Sequence, residues 1–266
     1  MSLRSIWKGT ISFGLVSIPV RLYPATGRQD LRFNLLHKKC GGRLNYRKYC
    51  PRCEEEVSQE ETVRGYEYEQ DRYVVIEEAD FDNIAGEQTR QIELISFVRL
   101  SEIDPVHYDR TYYVVPEKLG LKPYALLAQA MGEAARVGIG RFSLRKKPHL
   151  VALRIKNDAL LVETMFYHDE VRQLDAELSY DLGGADVHPK ERQMAVQLIQ
   201  NLSEPFRPEA YENTYRRRLM SFIQSKIEGR EVTAAPAKRD EEVIDLMEAL
   251  ERSLEESEKA ASRGGS

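Results

Sequence analysis

Ile11-Ser12-Phe13-Gly14-Leu15-Val16-Ser17-Ile18-Pro19-Val20 is the stretch whose reading decides the fold. It is mostly apolar, broken by Ser12 and Ser17, and reads as a β-strand, not a helix. Two further runs, Tyr73–Ile76 and Ile92–Val98, read the same way, as does Thr111–Val115, which Pro116 stops. The period then changes. Pro123 stands where a helix can begin, and Leu126, Leu127, Ala130, Met131 and Ala134 recur at helical spacing. Past Gly138 and Gly140 the chain is extended again. Leu150–Ile155 and Leu160–Phe166 flank Lys156-Asn157-Asp158, which reads as a hairpin turn.

The last third has a different pattern. Pro189 opens a helix with Met194, Ala195, Leu198, Ile199 and Leu202 on one face. Pro208 opens a second, with Tyr211, Tyr215, Leu219, Phe222 and Ile223, ended by Gly229. Residues 231–240 read as a linker, residues 241–256 as an amphipathic helix and residues 257–266 as a disordered end. The order of strands, helix, hairpin and helices implies an α+β body rich in antiparallel sheet, with a barrel as one closure.

The chain has 266 residues, 42% of them hydrophobic, enough for one large domain with a small appendage. The first twenty residues contain charge and no long apolar run, and no later segment is apolar for long enough to span a bilayer. Three cysteines do not make a secreted disulfide framework. These features point to a soluble, cytoplasmic protein. The formal charge of −4 conceals strong segregation. Residues 1–53 carry 11 Lys/Arg against one Asp, and residues 54–110 carry five against 17 Asp/Glu. Residues 111–160 return to nine against three, whereas residues 231–266 carry five against ten. Such segregation can present a polyanion-binding face on an acidic protein, or it can neutralise itself in space.

All three cysteines fall within residues 37–53, as His37-x2-Cys40-x9-Cys50-x2-Cys53. Each ligand pair spans two residues, and Gly41, Gly42 and Pro51 supply turn chemistry between them. Four such ligands would close a structural zinc knuckle with no open position for chemistry. The competing reading is a Cys50-x-x-Cys53 redox pair, which leaves Cys40 and His37 without a role. The knuckle's six Lys/Arg are either a nucleic-acid-facing rim or its solvated side.

The sequence contains neither a Gly-rich phosphate loop nor a Gly-x-Ser-x-Gly elbow. His168-Asp169-Glu170 reads as a polar turn, and the carboxylates of the acidic block surround no nucleophile. The chain therefore reads as a binding protein and not an enzyme.

Ser5-Ile6-Trp7-Lys8-Gly9-Thr10-Ile11-Ser12-Phe13-Gly14-Leu15-Val16-Ser17-Ile18-Pro19-Val20-Arg21-Leu22-Tyr23 resembles the opening strands of bacterial Ku, the end-binding family of non-homologous end joining. Similar segments continue through Val63–Glu67, Tyr73–Ile76, Tyr112–Pro116, Arg141–Arg145, Leu150–Leu153, Tyr167–Arg172 and Asp245–Leu250, to about residue 255. The resemblance implies a Ku-type core over residues 1–230. Within it would be an antiparallel seven-stranded barrel, an inserted bridge and a helical C-terminal region. Two copies would close a ring around linear double-stranded DNA and recruit the multifunctional ATP-dependent DNA ligase. Many family members also carry a lysine-rich C-terminal extension, whereas residues 231–266 here are net acidic.

A ring that accepts any broken end must grip phosphates and leave base edges unread. The candidate phosphate contacts are Lys8, Arg21, Arg28, Arg32, Arg141, Arg145, Lys146 and Lys147. Candidate dimer surfaces are the helices at 189–203 and 208–228 and the hairpin at 150–167. On the tethered tail helix, Leu246, Met247 and Leu250 are the candidate anchors for the ligase. A zinc-containing transcription regulator that reads sequence is the alternative, with Arg216-Arg217-Arg218 on a helix as its material. A metal-dependent nuclease using the acidic block is a third class.

Overall fold

The computed structural model describes residues 4–85, 90–144, 147–174, 187–229 and 246–263. The chain divides into two units, Met1–Gln173 and Leu174–Ser266, so the first unit ends well before residue 230.

The first unit is built on a closed seven-stranded barrel. The stretch read as one strand is a hairpin, with β1 at Trp7–Phe13 and β2 at Val16–Pro24. Phe13 pairs with Val16, leaving Gly14-Leu15 as a two-residue turn. Gly14 has φ +58°, a left-handed conformation that glycine adopts without the Cβ penalty, and Leu15 is fully exposed. A mostly apolar run hides such a reversal, because only one residue of the turn carries a turn signal.

The remaining barrel strands are β7 (Gln91–Val98), β8 (Tyr108–Pro116), β9 (Val137–Leu144), β10 (Lys147–Lys156) and β11 (Ala159–Met165). They close in the order β1-β2-β8-β11-β10-β9-β7. Every pair is antiparallel except the closing one, where Thr10, Ile11 and Ser12 of β1 run parallel to Gln91, Ile92 and Glu93 of β7. The barrel is thus mixed, not wholly antiparallel. At the β7–β9 seam a bulge lies between Leu94 and Ser96. A Cβ at Gly140 would collide there with the Glu93 carbonyl oxygen, so the seam requires glycine.

Alternating side chains fill the interior, among them Ile11, Ile18, Val20, Leu22, Ile92, Val151, Leu153, Leu160 and Val162, all fully buried. Helix α2 (Leu121–Glu133) adds Leu127 and Met131 to the same core. Its Tyr124 hydroxyl donates to the Val114 carbonyl at 3.0 Å and accepts from the Leu160 amide at 2.8 Å, tying β8 to β11. The Asn157-Asp158 turn joins β10 to β11, as the sequence reading expected, and both residues have positive φ (49° and 62°). This hairpin is barrel wall, buried along most of β11. That removes it from the candidate dimer surfaces, since its apolar residues are already covered within the chain.

A long insertion separates β2 from β7. It holds a β3–β4 ribbon (Lys48–Cys50 with Glu55–Val57), a β5–β6 ribbon (Arg64–Glu69 with Arg72–Ile76) and α1 (Glu78–Ala85). None of the side chains described between residues 25 and 90 is buried. Phe33, Tyr46, Tyr66, Tyr68, Tyr73, Val74 and Val75 all stand exposed. An isolated two-stranded ribbon is marginal in water without a covering surface.

The second unit holds α3 (Pro189–Asn201), α4 (Thr214–Ile227) and α5 (Leu246–Arg263). His188 caps α3, its Nδ1 accepting from the Lys190 amide at 3.2 Å while Glu191 accepts from the His188 amide at 2.8 Å. The helix expected from Pro208 is only a single 3₁₀ turn at Pro208–Ala210. The α4 helix begins later, because Asn213 supplies the cap by accepting from the Arg216 amide at 2.9 Å. Gly229 ends it in the left-handed region (φ +70°). Helix α5 packs on α3, with the Asn201 amide nitrogen donating to Ser257 Oγ at 3.4 Å. It runs through Arg263, past the point at which the sequence reading placed disorder. The expected linker at 231–240 lies outside the described residues, as do residues 241–245 of the expected tail helix.

Candidate nucleic-acid interface

The candidate cations fall into separate groups. Lys8 and Arg21 face each other across the β1–β2 ladder. Both bond Glu117 Oε1, Lys8 Nζ at 2.9 Å and Arg21 Nε at 2.9 Å. First the Lys8 ammonium and then the Arg21 guanidinium hold the Glu117 carboxyl below the usual carboxylate range. These two cations therefore already have an anionic partner on the barrel wall, and a phosphate would have to share it.

Arg28 and Lys147 both lie near strand ends. They line a cleft of about 980 Å³ at one mouth of the barrel, together with Arg110 and His149. Arg28 follows β2, Arg110 is on β8, and Lys147 and His149 start β10. Apolar lining comes from Ile6, Pro24 and Leu144. Among the described residues Asp109 is the only carboxylate of the lining, and its Oδ2 lies 3.8 Å from Arg110 Nε. At that distance the pair leaves most of the guanidinium's donors open. Burial pushes His149 below its ordinary value. Arg110 escaped the sequence reading because it ends the most acidic block of the chain. His149 escaped because the five histidines are scattered. The alternation of Tyr108–Pro116 was the available signal for Arg110.

Arg32 is exposed on the loop after β2, and Arg141 is exposed on β9 opposite Glu93 of β7. Arg145 and Lys146 lie outside the described residues.

The four candidate metal ligands form two pairs. His37 Nδ1 lies 3.1 Å from Cys40 Sγ within a turn in which the Cys40 and Gly41 amides donate to the His37 carbonyl. Cys50 and Cys53 face each other at the end of the β3–β4 ribbon. Amide N–H groups of Cys53 and Arg52 pull the Cys50 thiol below its ordinary value, while Cys50 pushes Cys53 up. Among the described residues no three His, Cys, Asp or Glu side chains converge as metal ligands would. The donor chemistry of each pair suits zinc, but the two pairs as placed do not make one tetrahedral set.

Of the candidate ligase anchors, Leu246 is exposed, whereas Met247 and Leu250 are half-buried on the α5 helix that packs on α3. The triple-arginine run lies on α4, where Arg217 pairs with Glu212 at 2.7 Å. Among the described residues, no helix is long and apolar enough to cross a membrane.

A closed barrel that carries its cations on the rim and wall, with a coreless, charge-segregated insertion, defines a class of binding scaffold. Residues 12–196 match the Ku70/Ku80 beta-barrel domain, and the chain belongs to the Ku family. It is 48% identical over 259 residues to "Non-homologous end joining protein Ku" of Symbiobacterium thermophilum, covering 97% of this chain and 64% of that one. The protein of the same name from Heliobacterium modesticaldum is 46% identical, with 96% of this chain and 93% of that one covered. The Bacillus subtilis protein of that name is 38% identical, with 96% and 83% covered.

Proposed function

We propose that this chain binds the ends of double-stranded DNA in non-homologous end joining, as a homodimeric ring that reads no sequence. It then recruits the ATP-dependent ligase, and it is a binding protein and not a catalyst. The insertion carries this reading. A segment with no buried side chain among its described residues needs a second body. Its halves suit a second copy, because residues 37–53 hold six Lys/Arg and no acid, whereas residues 54–85 are strongly acidic. A two-fold axis brings the basic half of each copy to the acidic half of the other. The exposed Tyr66, Tyr73 and Val75 supply apolar contact. The exposed faces of α3 and α4, which include Ile199, Tyr215 and Phe222, remain further candidates for the same interface.

End specificity then arises from topology, since a closed ring loads only where the duplex stops. A mobility-shift comparison of one DNA as linear duplex and as relaxed closed circle tests this. Binding to the linear form alone is expected, and equal binding to both would discard threading. A sequence-reading regulator would in addition resist random competitor DNA, whereas this chain should not.

Two finer elements belong to the same proposal. The His37–Cys40 and Cys50–Cys53 pairs, which stand apart as placed, would have to come together to hold one structural zinc ion. Metal analysis of the purified protein should find about one zinc per chain, and a metal-free, folded protein with three titratable thiols would remove the ion from the account. The α5 helix docks the ligase through Leu246, Met247 and Leu250. Replacing the three with Ala should preserve DNA binding and abolish ligase stimulation, and unchanged stimulation would refute the assignment.

A further inference from the structure

We infer that α3 is an internal competitor for the α5 anchors, a latch that covers the ligase-docking face of α5 in the free protein and yields it to a partner with an apolar groove rimmed by cations. The inference rests on the ligase-docking reading and adds the regulation of that site. Asn201, at the C-terminal end of α3, meets Ser257 of α5 through a hydrogen bond of 3.4 Å. The same spacing back along each helix puts Leu198 level with Leu254, Met194 with Leu250 and Glu191 with Met247. All of these are half-buried, and their intervals of three, four and three residues from the Asn201–Ser257 pair are those of a coiled-coil seam. An antiparallel pair anchored at Asn201 and Ser257 would carry Met247 and Leu250 off the end of α3 and leave their burial without a cover. The two helices therefore run parallel and in step.

The seam is shallow. Among the described residues of the second unit none is fully buried, so little apolar area returns to water when α5 leaves α3. The polar Asn201–Ser257 pair fixes the register and stabilises less than an apolar pair would. Met247 and Leu250 lie within the seam, and of the three anchors only Leu246 is exposed. One helix face cannot occupy two grooves, so docking on α3 and docking on the ligase exclude each other. A partner's apparent affinity for a helix that is free only part of the time is lowered by that fraction. Glu248 and Glu251 stand exposed beside the seam residues. A groove that draws α5 off α3 therefore gains from Lys or Arg at its rim.

The test uses the full chain, linear duplex and the ATP-dependent end-joining ligase, with two variants of opposite sign that keep all three anchors. Met194→Glu with Leu198→Glu puts charge into the α3 side of the seam. Amide exchange over 246–263 should rise, and the ligase concentration giving half-maximal joining should fall about tenfold, as expected when a helix docked about 90% of the time is freed. Asn201→Leu with Ser257→Leu makes the polar pair apolar, so exchange should slow and the half-maximal concentration should rise. Duplex affinity and the mass in light scattering should match the unaltered chain in both. Unshifted ligase titrations in both variants, with stimulation still abolished by Ala at the three anchors, would overturn the latch and keep the docking reading. Stimulation that survives the three Ala replacements would remove the docking reading and the latch with it. Should the glutamate variant fail to fold, the leucine variant decides alone, and a half-maximal concentration that does not rise overturns the latch.

Discussion

Individual side chains on the outer barrel wall show how closely polarity is managed. Arg154 Nη2 and Glu163 Oε1 are 2.6 Å apart, and the Glu163 side chain is only 8% exposed. Thr111 Oγ1 donates to the same carboxylate at 3.2 Å. The 3₁₀ turns Leu100–Glu102 and Pro105–His107 precede β8, and Ile103 and Tyr108 of this stretch pack over Val137, Ala152 and Met165. Removing the Glu163 charge leaves a guanidinium without its partner in a poorly solvated place. Glu163→Gln should therefore cost about 3 kcal/mol, read as a lower midpoint in thermal or denaturant unfolding. Tyr108 is the contrasting case. Its buried hydroxyl has no hydrogen-bond partner among the described residues, and burial pushes the phenol up from its ordinary value. Tyr108→Phe deletes an uncompensated polar atom and should leave the midpoint unchanged or raised. A loss above about 1 kcal/mol would show that the hydroxyl has an undetected partner.

At the level of elements, reversals and caps decide where strands and helices stop. Asn157 and Asp158 both occupy left-handed backbone between β10 and β11. Asn157→Val puts a β-branched side chain at φ +49° and should cost about 1–2 kcal/mol. Unchanged stability would mean that the turn can rearrange. The α5 helix half-buries Met247, Ala249, Leu250, Leu254 and Ser257 and packs on α3. Leu250→Glu should release it, raising amide exchange over 246–263 and over α3 while the barrel strands keep their protection. The ligase proposal then acquires a constraint: anchors half-buried on α5 become available only when the helix turns outward or leaves α3.

Over the whole molecule, charge and the coreless insertion govern association. Tyr66→Asp with Tyr73→Asp puts charge on the exposed β5–β6 ribbon and should convert a dimer to a monomer in light scattering, with loss of end-loaded complexes. A dimer that survives both changes would move the interface to α3 and α4. Affinity for linear duplex should fall steeply with salt, since each neutralised phosphate contributes about 0.9 to the slope of log affinity against log salt. An affinity flat across the titration would remove the phosphate-gripping role from Arg28, Arg32 and Lys147.

The sequence by itself determined the secondary-structure alphabet, the presence of a helix around Pro123–Ala134, the Asn157-Asp158 hairpin and the family. These depend on local periodicity, turn chemistry and a long matching opening run. It also supplied the candidate cations, because lysine and arginine can be counted. The tertiary structure alone decided which cations have partners. Glu117 is 96 residues from Arg21 in the chain, and it reaches Lys8 and Arg21 only because β2 pairs with β8. The parallel β1–β7 closure and the placing of Arg28, Arg110 and Lys147 on one cleft are likewise consequences of closure. Strand order around a barrel is set by pairings distant in sequence, and no local pattern encodes which ends will adjoin.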